Sequence, residues 1–372
     1  MNSQRLNKLI NAFQSGNITA SEREELMSWY YSIAEQDNEY PEEENTVKAR
    51  MLYRLMEDSG YIKDDKQSIW RTSWSYSFAA VILIFIAFGI RTYYKSEKVE
   101  VTNRIVTTEG YDYKAGTNSA QLILENGERV DLSSAHAGIQ MGDHIKYLDG
   151  SQVSAEQVDN PQAILTLRTP NAGQYQVSLV DGTKVWLNAG TTLKYPKQFD
   201  AESRTVELEG EAYFEVEHDE KPFIVKTSKQ QIYVLGTKFN VSNYSEQQVN
   251  KTTLLSGSVK IVTDQGVSHL KPQQELAIST TGLQVNQVNA EDAIAWKNGL
   301  FLFDNETLES AMLKIAKWYN IKYTFKDAEM RKEKIFGLIN RSENISVVIE
   351  KIESTGVAKF TIGKDGVEIS KK

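Results

Sequence analysis

The four histidines of this sequence are of the right type for metal chemistry but do not have its spacing. They stand at His136, His144, His218 and His269. No two of them lie one helical turn apart with a carboxylate nearby, the arrangement that holds a catalytic zinc ion. We therefore expect no metal site, and the sequence implies no cofactor.

Three carboxylates lie close together at Glu209, Glu211 and Glu215. A glycosidase uses two acidic side chains that face each other across a sugar. If residues 210–216 (GEAYFEV) form one strand, Glu211 and Glu215 share a face of it, as ordinary solvent-facing residues also do. The chain also lacks a P-loop, a G-x-G-x-x-G motif and a G-x-S-x-G motif, so the sequence favours a protein that is not an enzyme.

Composition excludes several other functions. The chain has 372 residues, enough for two or three domains, and a net charge of −8 without any Lys/Arg run, so we expect no direct nucleic-acid binding. It contains no cysteine, which excludes disulfides and thiolate chemistry together.

Residues 72–90 carry no charge, and about 19 helical residues span about 28 Å, close to the thickness of a bilayer core. Trp74, Tyr76, Tyr93 and Tyr94 stand where interfacial aromatic residues belong. The segment predicts one transmembrane helix over 72–94, with a buried core helix as the alternative. Basic residues flank both ends, so the charge distribution does not decide the orientation.

Residues 1–70 predict a small all-α domain. Apolar residues recur at helical spacing, and Thr19 with Glu22 has the spacing of a capping box at the start of a second helix. The apolar face comprises Leu6, Ile10, Phe13, Leu26, Trp29 and Tyr30. These side chains could pack on one another, or part of the face could be a binding surface for another protein.

After the membrane segment the pattern changes to short alternating runs with turn signals, which predict an all-β domain over 100–292. Residues 121–134 and 176–189 are similar to each other and predict two hairpins, with type I′ turns at Asn126-Gly127 and Asp181-Gly182. Residues between 133 and 162 look like irregular loop. Residues 293–372 predict an α+β module of order βαββαβ, with Asn305 and Asn344 as helix N-caps.

Four runs within residues 169–262 resemble the FecR family of transmembrane anti-sigma factors. They are TPNAGQYQVSLVDGTKVWLNAGTTLKYPKQF, RTVELEGEAYFEVEHDEKPFIVKT, VLGTKFNV and TTLLSGSVKIV. The N-terminal ELMSWY run is similar to the sigma-binding domain of the family, and the tail resembles the secretin and TonB-receptor signalling module of Bacteroidetes members. The implied fold class is multi-domain, with an all-α N-terminal domain, a transmembrane helix, a two-layer β-sandwich or solenoid-like roll, and the βαββαβ module.

The resemblance also implies a function and a location. An outer-membrane TonB-dependent receptor would contact the periplasmic part through its N-terminal signalling domain, and the cytoplasmic part would control an extracytoplasmic-function (ECF) sigma factor. The protein would cross the inner membrane once, with its N-terminus in the cytoplasm and its C-terminus in the periplasm. The predicted sigma-binding face is the apolar face defined above. The alternative is a membrane-anchored periplasmic glycan-binding or adhesin module without a sigma factor.

Some FecR-like proteins cut themselves at a Gly-Thr bond, and the bond between Gly236 and Thr237 matches this pattern. The threonine hydroxyl would attack the preceding carbonyl, which requires strain at the glycine. The alternative is structural, with Gly236 in a bulge and Thr237 as an ordinary strand residue.

Overall fold

The computed structural model describes residues 5, 8, 9, 19, 21, 22, 25, 106–107, 111–154, 158 and 160–372. The chain divides into two compact units, Met1–Arg104 and Ile105–Lys372. The predicted domain boundaries within these units stay predictions.

The few described residues of the first unit are helical around Arg5 and around Glu22. The capping box predicted at Thr19 is confirmed, because the Glu22 carboxylate accepts from the Thr19 backbone N–H at 3.2 Å and the Thr19 hydroxyl accepts from the Glu22 N–H at 3.3 Å. Arg5 Nη2 contacts Glu25 Oε2 at 2.8 Å. Leu9 is fully buried.

In the second unit, the strands up to residue 287 follow one another with short connections. The first ten are β1 (Val106–Thr107), β2 (Thr117–Asn118), β3 (Ala120–Ile123), β4 (Arg129–Leu132), β5 (Gly138–Gln140), β6 (Lys146–Tyr147), β7 (Ile164–Arg168), β8 (Gly173–Ser178), β9 (Lys184–Leu187) and β10 (Thr192–Pro196). The next nine are β11 (Arg204–Glu215), β12 (Phe223–Lys226), β13 (Gln231–Val234), β14 (Lys238–Asn243), β15 (Asn250–Ser256), β16 (Val259–Thr263), β17 (Gly266–Leu270), β18 (Gln274–Ser279) and β19 (Gly282–Gln287).

Strands β3 to β19 form two layers that share the long strand β11. One layer has the order β4-β3-β7-β10-β11-β12-β13-β16-β17. The other has the order β6-β5-β8-β9-β11-β14-β15-β18-β19. Apolar side chains from both layers meet in one core, where the Phe214 ring lies 6.2 Å from Phe223 of one layer and 5.0 Å from Phe239 of the other. We call this part the β-sandwich.

Strand β11 passes from one layer to the other at Gly210. Its first half pairs with β10 and its second half with β9 and β14. Gly210 has φ +110, and a Cβ there would lie 2.6 Å from Thr191 Oγ1. The bend therefore needs a residue without a side chain, both for its backbone angle and for the close approach.

The two predicted hairpins are confirmed as β3–β4 and β8–β9, but their predicted turn type is wrong. A type I′ turn needs positive φ at both central residues, whereas only Gly127 (+86) and Gly182 (+88) have it here. Asn126 and Asp181 instead accept hydrogen bonds from the backbone two residues ahead, at Glu128 and Thr183. The predicted loop between the hairpins also contains the short strands β5 and β6.

Residues 300–370 form what we call the C-terminal module. Its elements are β20 (Leu300–Thr307), α1 (Leu308–Tyr319), β21 (Tyr323–Phe325), β22 (Lys334–Asn340), α2 (Ile345–Ser354), β23 (Lys359–Gly363) and β24 (Gly366–Ser370). The predicted order is present with β24 as an additional strand. Helix α1 is capped by the Thr307 hydroxyl rather than by Asn305, which has φ +51 in a bulge of β20. Asn344 is the N-cap residue of α2, but its side chain makes no capping bond.

The predicted fold class is wrong. The described residues are mainly β-strand, and their two bounded α-helices have 12 and 10 residues, lengths of about 18 and 15 Å. Each buries one face against the core of the C-terminal module. Within the described part of the chain, no helix has the length and apolar character to cross a bilayer. An all-α N-terminal domain and a transmembrane helix are therefore not supported, and segment 72–94 lies outside the described residues.

Candidate functional site

The side chain of Glu211, which the sequence marks as a possible catalytic acid, is held by two amides. Its Oε2 accepts from Asn188 Nδ2 at 2.7 Å, and its Oε1 accepts from Asn240 Nδ2 at 3.1 Å. The Trp296 indole N–H donates to Asn240 Oδ1 at 3.2 Å. Both carboxylate oxygens therefore have a partner.

Arg341 of the C-terminal module completes this network. It directly follows β22 and is only 3% exposed. Its guanidinium donates to Asn188 Oδ1 at 2.9 Å and to the Trp296 carbonyl at 2.7 Å. It also lies 3.7 Å from the centre of the Trp318 ring, a cation–π distance. Asn188 thus bridges an arginine of one part and a glutamate of the other.

Burial shifts the pKa of both charged groups toward the neutral form. The pKa of Glu211 is raised, because the loss of water outweighs the hydrogen bonds from Asn188 and Asn240. The pKa of Arg341 is lowered to about 10 for the same reason, against the opposing field of Glu211. The amide of Asn188 therefore connects two charges that are both poorly solvated.

Helix α1 adds further contacts to this junction. Lys317 Nζ lies 2.5 Å from Glu246 Oε1 and 4.3 Å from the centre of the Tyr244 ring. The Lys317 carbonyl accepts from the Ala172 N–H at 2.7 Å. We call this set of contacts between the β-sandwich and the C-terminal module the junction.

The junction does not have the geometry of a glycosidase. Glu211 and Glu215 are four residues apart on one strand, a separation of about 13 Å along the backbone, which exceeds the spacing that either glycosidase mechanism uses. Glu215 accepts from the Tyr213 hydroxyl at 3.1 Å and lies 3.7 Å from Lys238. Both carboxylates therefore make structural contacts, and the arrangement joins two folded parts.

Gly236 and Thr237 lie in the short connection between β13 and β14, which belong to different layers of the β-sandwich. A Cβ at Gly236 would lie 2.7 Å from His218 Nδ1, so the glycine permits close packing. Thr237 is 3% exposed, and its hydroxyl donates to the Ser258 carbonyl at 3.1 Å. A backbone carbonyl is a weak base for activating this hydroxyl. Self-cleavage stays a prediction, which the mass of the purified chain can test.

The predicted sigma-binding residues Leu6, Ile10, Phe13, Leu26, Trp29 and Tyr30 lie outside the described residues. Of the histidines, His136 stacks on Tyr147 at 3.9 Å and pairs with Asp149 at 3.1 Å. Where the structure describes the chain, no group of three or more metal-binding side chains comes together.

Comparison with known proteins places this architecture in a family. The family model described as FecR protein matches residues 165–260, and the one described as FecR, C-terminal, matches residues 300–369. These two regions of the chain are of the FecR type. The resemblance predicted from the four sequence runs is thereby confirmed, and the two matched regions are the two sides of the junction. No curated protein matches the chain.

Two crystal structures are also similar to this chain. Both are of a candidate anti-sigma factor from Parabacteroides distasonis, at 2.50 and 1.65 Å resolution. Each has 28% sequence identity and a TM-score of 0.53, and covers 56% of this chain and 99% of its own.

Sequence reasoning missed the residues that build the junction. Asn188 and Arg341 are 153 positions apart. Asn188 lies in one of the runs that resemble the FecR family and Arg341 in none of them, and the resemblance assigns neither residue a partner. The one sequence feature that could have indicated the junction was Glu211, a carboxylate among the apolar and aromatic residues of a strand. From the sequence alone it was interpreted as a possible catalytic residue or a surface residue. A charged group in such a strand also indicates a buried polar network that needs partners from elsewhere.

Proposed function

We propose that this FecR-family protein is an anti-sigma factor that acts as a signal relay. The observation that carries the proposal is that its β-sandwich and C-terminal module, joined at Asn188 and Arg341, are the two regions that match the family. The likeness to the candidate anti-sigma factor of Parabacteroides distasonis supports it. Both carboxylate oxygens of Glu211 are held by Asn188 and Asn240, and the proposed role is regulation without catalysis.

The proposal has three finer parts. The sigma factor is of the ECF type and binds residues 1–70. The periplasmic partner is the N-terminal signalling domain of a TonB-dependent outer-membrane receptor. The protein resides at the inner membrane, with its N-terminus in the cytoplasm and its C-terminus in the periplasm. The family resemblance supports each of these.

The first experiment is co-purification. We expect the full chain, tagged at its C-terminus and extracted in mild detergent, to retain a sigma factor from its own cells. The sigma factor is identified by mass spectrometry and confirmed by rebinding of the purified proteins. Failure of every sigma factor to co-purify, from cells in which the full chain is intact, would reject the anti-sigma role and favour the anchored glycan-binding or adhesin module.

The sigma-binding face is tested by substitution. Trp29→Ala is expected to lower sigma affinity at least tenfold, because large aromatic residues dominate interfaces of this kind. Trp70→Ala is the matched control, since it removes the same side chain from outside the predicted face. Equal losses in the two variants, or none in either, would remove Trp29 from the proposed face.

A further inference from the structure

A short stretch near the start of the second unit lies against the C-terminal module, although it precedes the β-sandwich in sequence. Strand β1 pairs in parallel with β23, with Val106 opposite Thr361 and Thr107 opposite Ile362. Strand β1 is thus an edge strand of the sheet β1-β23-β24-β21. We call the described residues 106–107 and 111–116 the strap.

Asp112 of the strap caps helix α2. Its carboxylate accepts from the Ser346 N–H at 3.0 Å, from the Ser346 hydroxyl at 2.9 Å and from Asn344 Nδ2 at 2.9 Å. A carboxylate at this position satisfies an unpaired helix N–H and interacts favourably with the helix dipole. The N-cap residue Asn344 makes no such bond itself, so the helix N–H of Ser346 is capped by a residue 234 positions away.

Tyr113 holds the strap to the start of helix α2 and to the end of strand β23. Its carbonyl accepts from the Ile345 N–H at 3.0 Å, and its hydroxyl donates to the Gly363 carbonyl at 2.8 Å. Tyr113 and Ala115 pack against the core of the C-terminal module. The strap therefore supplies hydrogen bonds and apolar contacts that the module would otherwise lack.

The strap then passes through the junction. A Cβ at Gly116 would lie 2.8 Å from ring carbons of Trp318, so the chain runs directly over the indole that stacks on Arg341. The next residue donates its N–H to the Ala172 carbonyl at 2.9 Å, and β2 pairs with β8 of the β-sandwich. Val106, the first described residue of the second unit, thus lies at the C-terminal module.

We propose that the C-terminal module has a peptide-binding edge, formed by β23 and the N-terminus of α2, whose ligand is the strap of the same chain. Release of the strap from this edge transmits a change in the module to the part of the chain before residue 105. The peptide-binding part rests on the contacts above, and the transmission part rests on the proposed anti-sigma function. The strap suits this role because β1 has only two residues and Asp112 is exposed, so few contacts must break.

The binding part is tested in the full chain by hydrogen exchange. Asp112→Ala removes three hydrogen bonds and is expected to speed exchange of the amides of residues 111–116 and 345–348 about fivefold, the rate equivalent of a lost helix cap. Asp264→Ala, a like substitution in the β16–β17 turn, is the control and should leave those amides unchanged. Unchanged exchange in Asp112→Ala would overturn the proposed peptide-binding edge.

The transmission part is tested in cells with a reporter driven by the sigma factor that co-purifies. Asp112→Ala is expected to change reporter output at least threefold relative to the wild-type chain and to Asp264→Ala. The chain has no cysteine, so Asp112→Cys with Ser346→Cys can form a single disulfide that holds the strap in place. This double variant, when oxidised, should not respond to the inducing condition, and its reduced form should.

The two failures are distinguishable. Deletion of the whole chain that leaves the reporter unchanged would reject the anti-sigma function, and the hydrogen-exchange result would still decide the peptide-binding edge. A reporter that responds to deletion but is equal in the wild type, in Asp112→Ala and in the oxidised double variant would overturn transmission through the strap.

Discussion

The β-sandwich and the C-terminal module achieve a closed core in different ways. The β-sandwich closes its core with its own strands, through β11 and the bend at Gly210. The C-terminal module takes Tyr113 and Ala115 from the strap and Ala189 from the β-sandwich into its core. One part is self-contained, and the other is completed by segments distant in sequence.

This difference matters for a relay. A self-contained part transmits force as a rigid body, whereas a part completed by distant segments changes when those segments leave. The contacts of the two buried arginines differ in the same way. Arg204 joins elements within the β-sandwich, and Arg341 joins the C-terminal module to the β-sandwich. Each prediction below probes one side of this contrast.

The largest effect is expected from Arg204→Ala. Arg204 is 1% exposed, contacts Asp181 Oδ2 at 2.9 Å and donates to the carbonyls of Glu217, Lys221 and Leu235. Its removal leaves a nearly buried carboxylate and three carbonyls without this donor, so we expect a loss of about 3–5 kcal/mol in the free energy of unfolding. Chemical denaturation of residues 105–372 measures it.

The control for that loss is Lys194→Ala. Lys194 lies 3.9 Å from Glu207 with 52% of its side chain exposed, so its removal should change stability by less than about 0.5 kcal/mol. Similar losses in the two variants would contradict the view that Arg204 closes the β-sandwich.

Arg341→Ala is expected to cost about 2–4 kcal/mol, because Asn188 Oδ1 and the Trp296 carbonyl lose a charged donor and Trp318 loses its cation–π contact. Its qualitative effect should differ from that of Arg204→Ala. Calorimetry should resolve one unfolding transition into two, with the C-terminal module melting first. Arg331→Ala, which removes an exposed pair with Glu309, should leave a single transition. A single transition in Arg341→Ala, as in Arg331→Ala, would contradict the role of the junction.

A smaller effect distinguishes the observed cap of α1 from the one predicted by sequence. Thr307→Ala should cost about 1 kcal/mol, because the Ser310 N–H loses its acceptor. Asn305→Gly should be neutral or slightly stabilising, since glycine adopts φ near +51 without strain. Thermal melts of the two variants show which residue caps α1. A larger loss of stability from Asn305→Gly than from Thr307→Ala would support Asn305 as the cap.

Local patterns in the sequence predicted local structure well. Alternating residues around Asn126-Gly127 and Asp181-Gly182 predicted both hairpins, and the helical spacing after Leu300 predicted α1 and α2. These features depend on neighbours within a few residues, which is the range over which periodicity carries information.

Long-range features could not be predicted in this way. The layer change of β11 depends on Gly210 approaching Thr191, and the cap of α2 depends on Asp112. Each contact joins residues that are far apart in sequence, and neither type of residue indicates its partner. The junction was missed for the same reason, since a lone Glu211 is compatible with surface, catalysis or a buried network. The helix predicted from the uncharged run at 72–90 lies outside the described residues, and those residues contain no helix able to cross a bilayer.

The smallest effect expected is a pH dependence that Glu211 contributes to the junction. Burial raises its folded-state pKa, so between its unfolded and folded values the native chain holds a proton that the unfolded chain has lost. Its contribution to stability is therefore fully present below the unfolded pKa, near 4.3, and is lost as the pH rises through the folded pKa.

Other carboxylates impose their own pH dependence, so the informative quantity is the difference between the wild type and Glu211→Gln. The pKa of Asp219 is lowered, chiefly by the Lys221 N–H, so its contribution to stability changes with pH in the opposite direction. This contribution is the same in both proteins and cancels in the difference. Unfolding free energies measured from pH 4 to pH 8 should give a difference, wild type minus variant, that falls with rising pH and then levels. A difference that rises over this range would show that the hydrogen bonds from Asn188 and Asn240 outweigh the effect of burial on the Glu211 pKa.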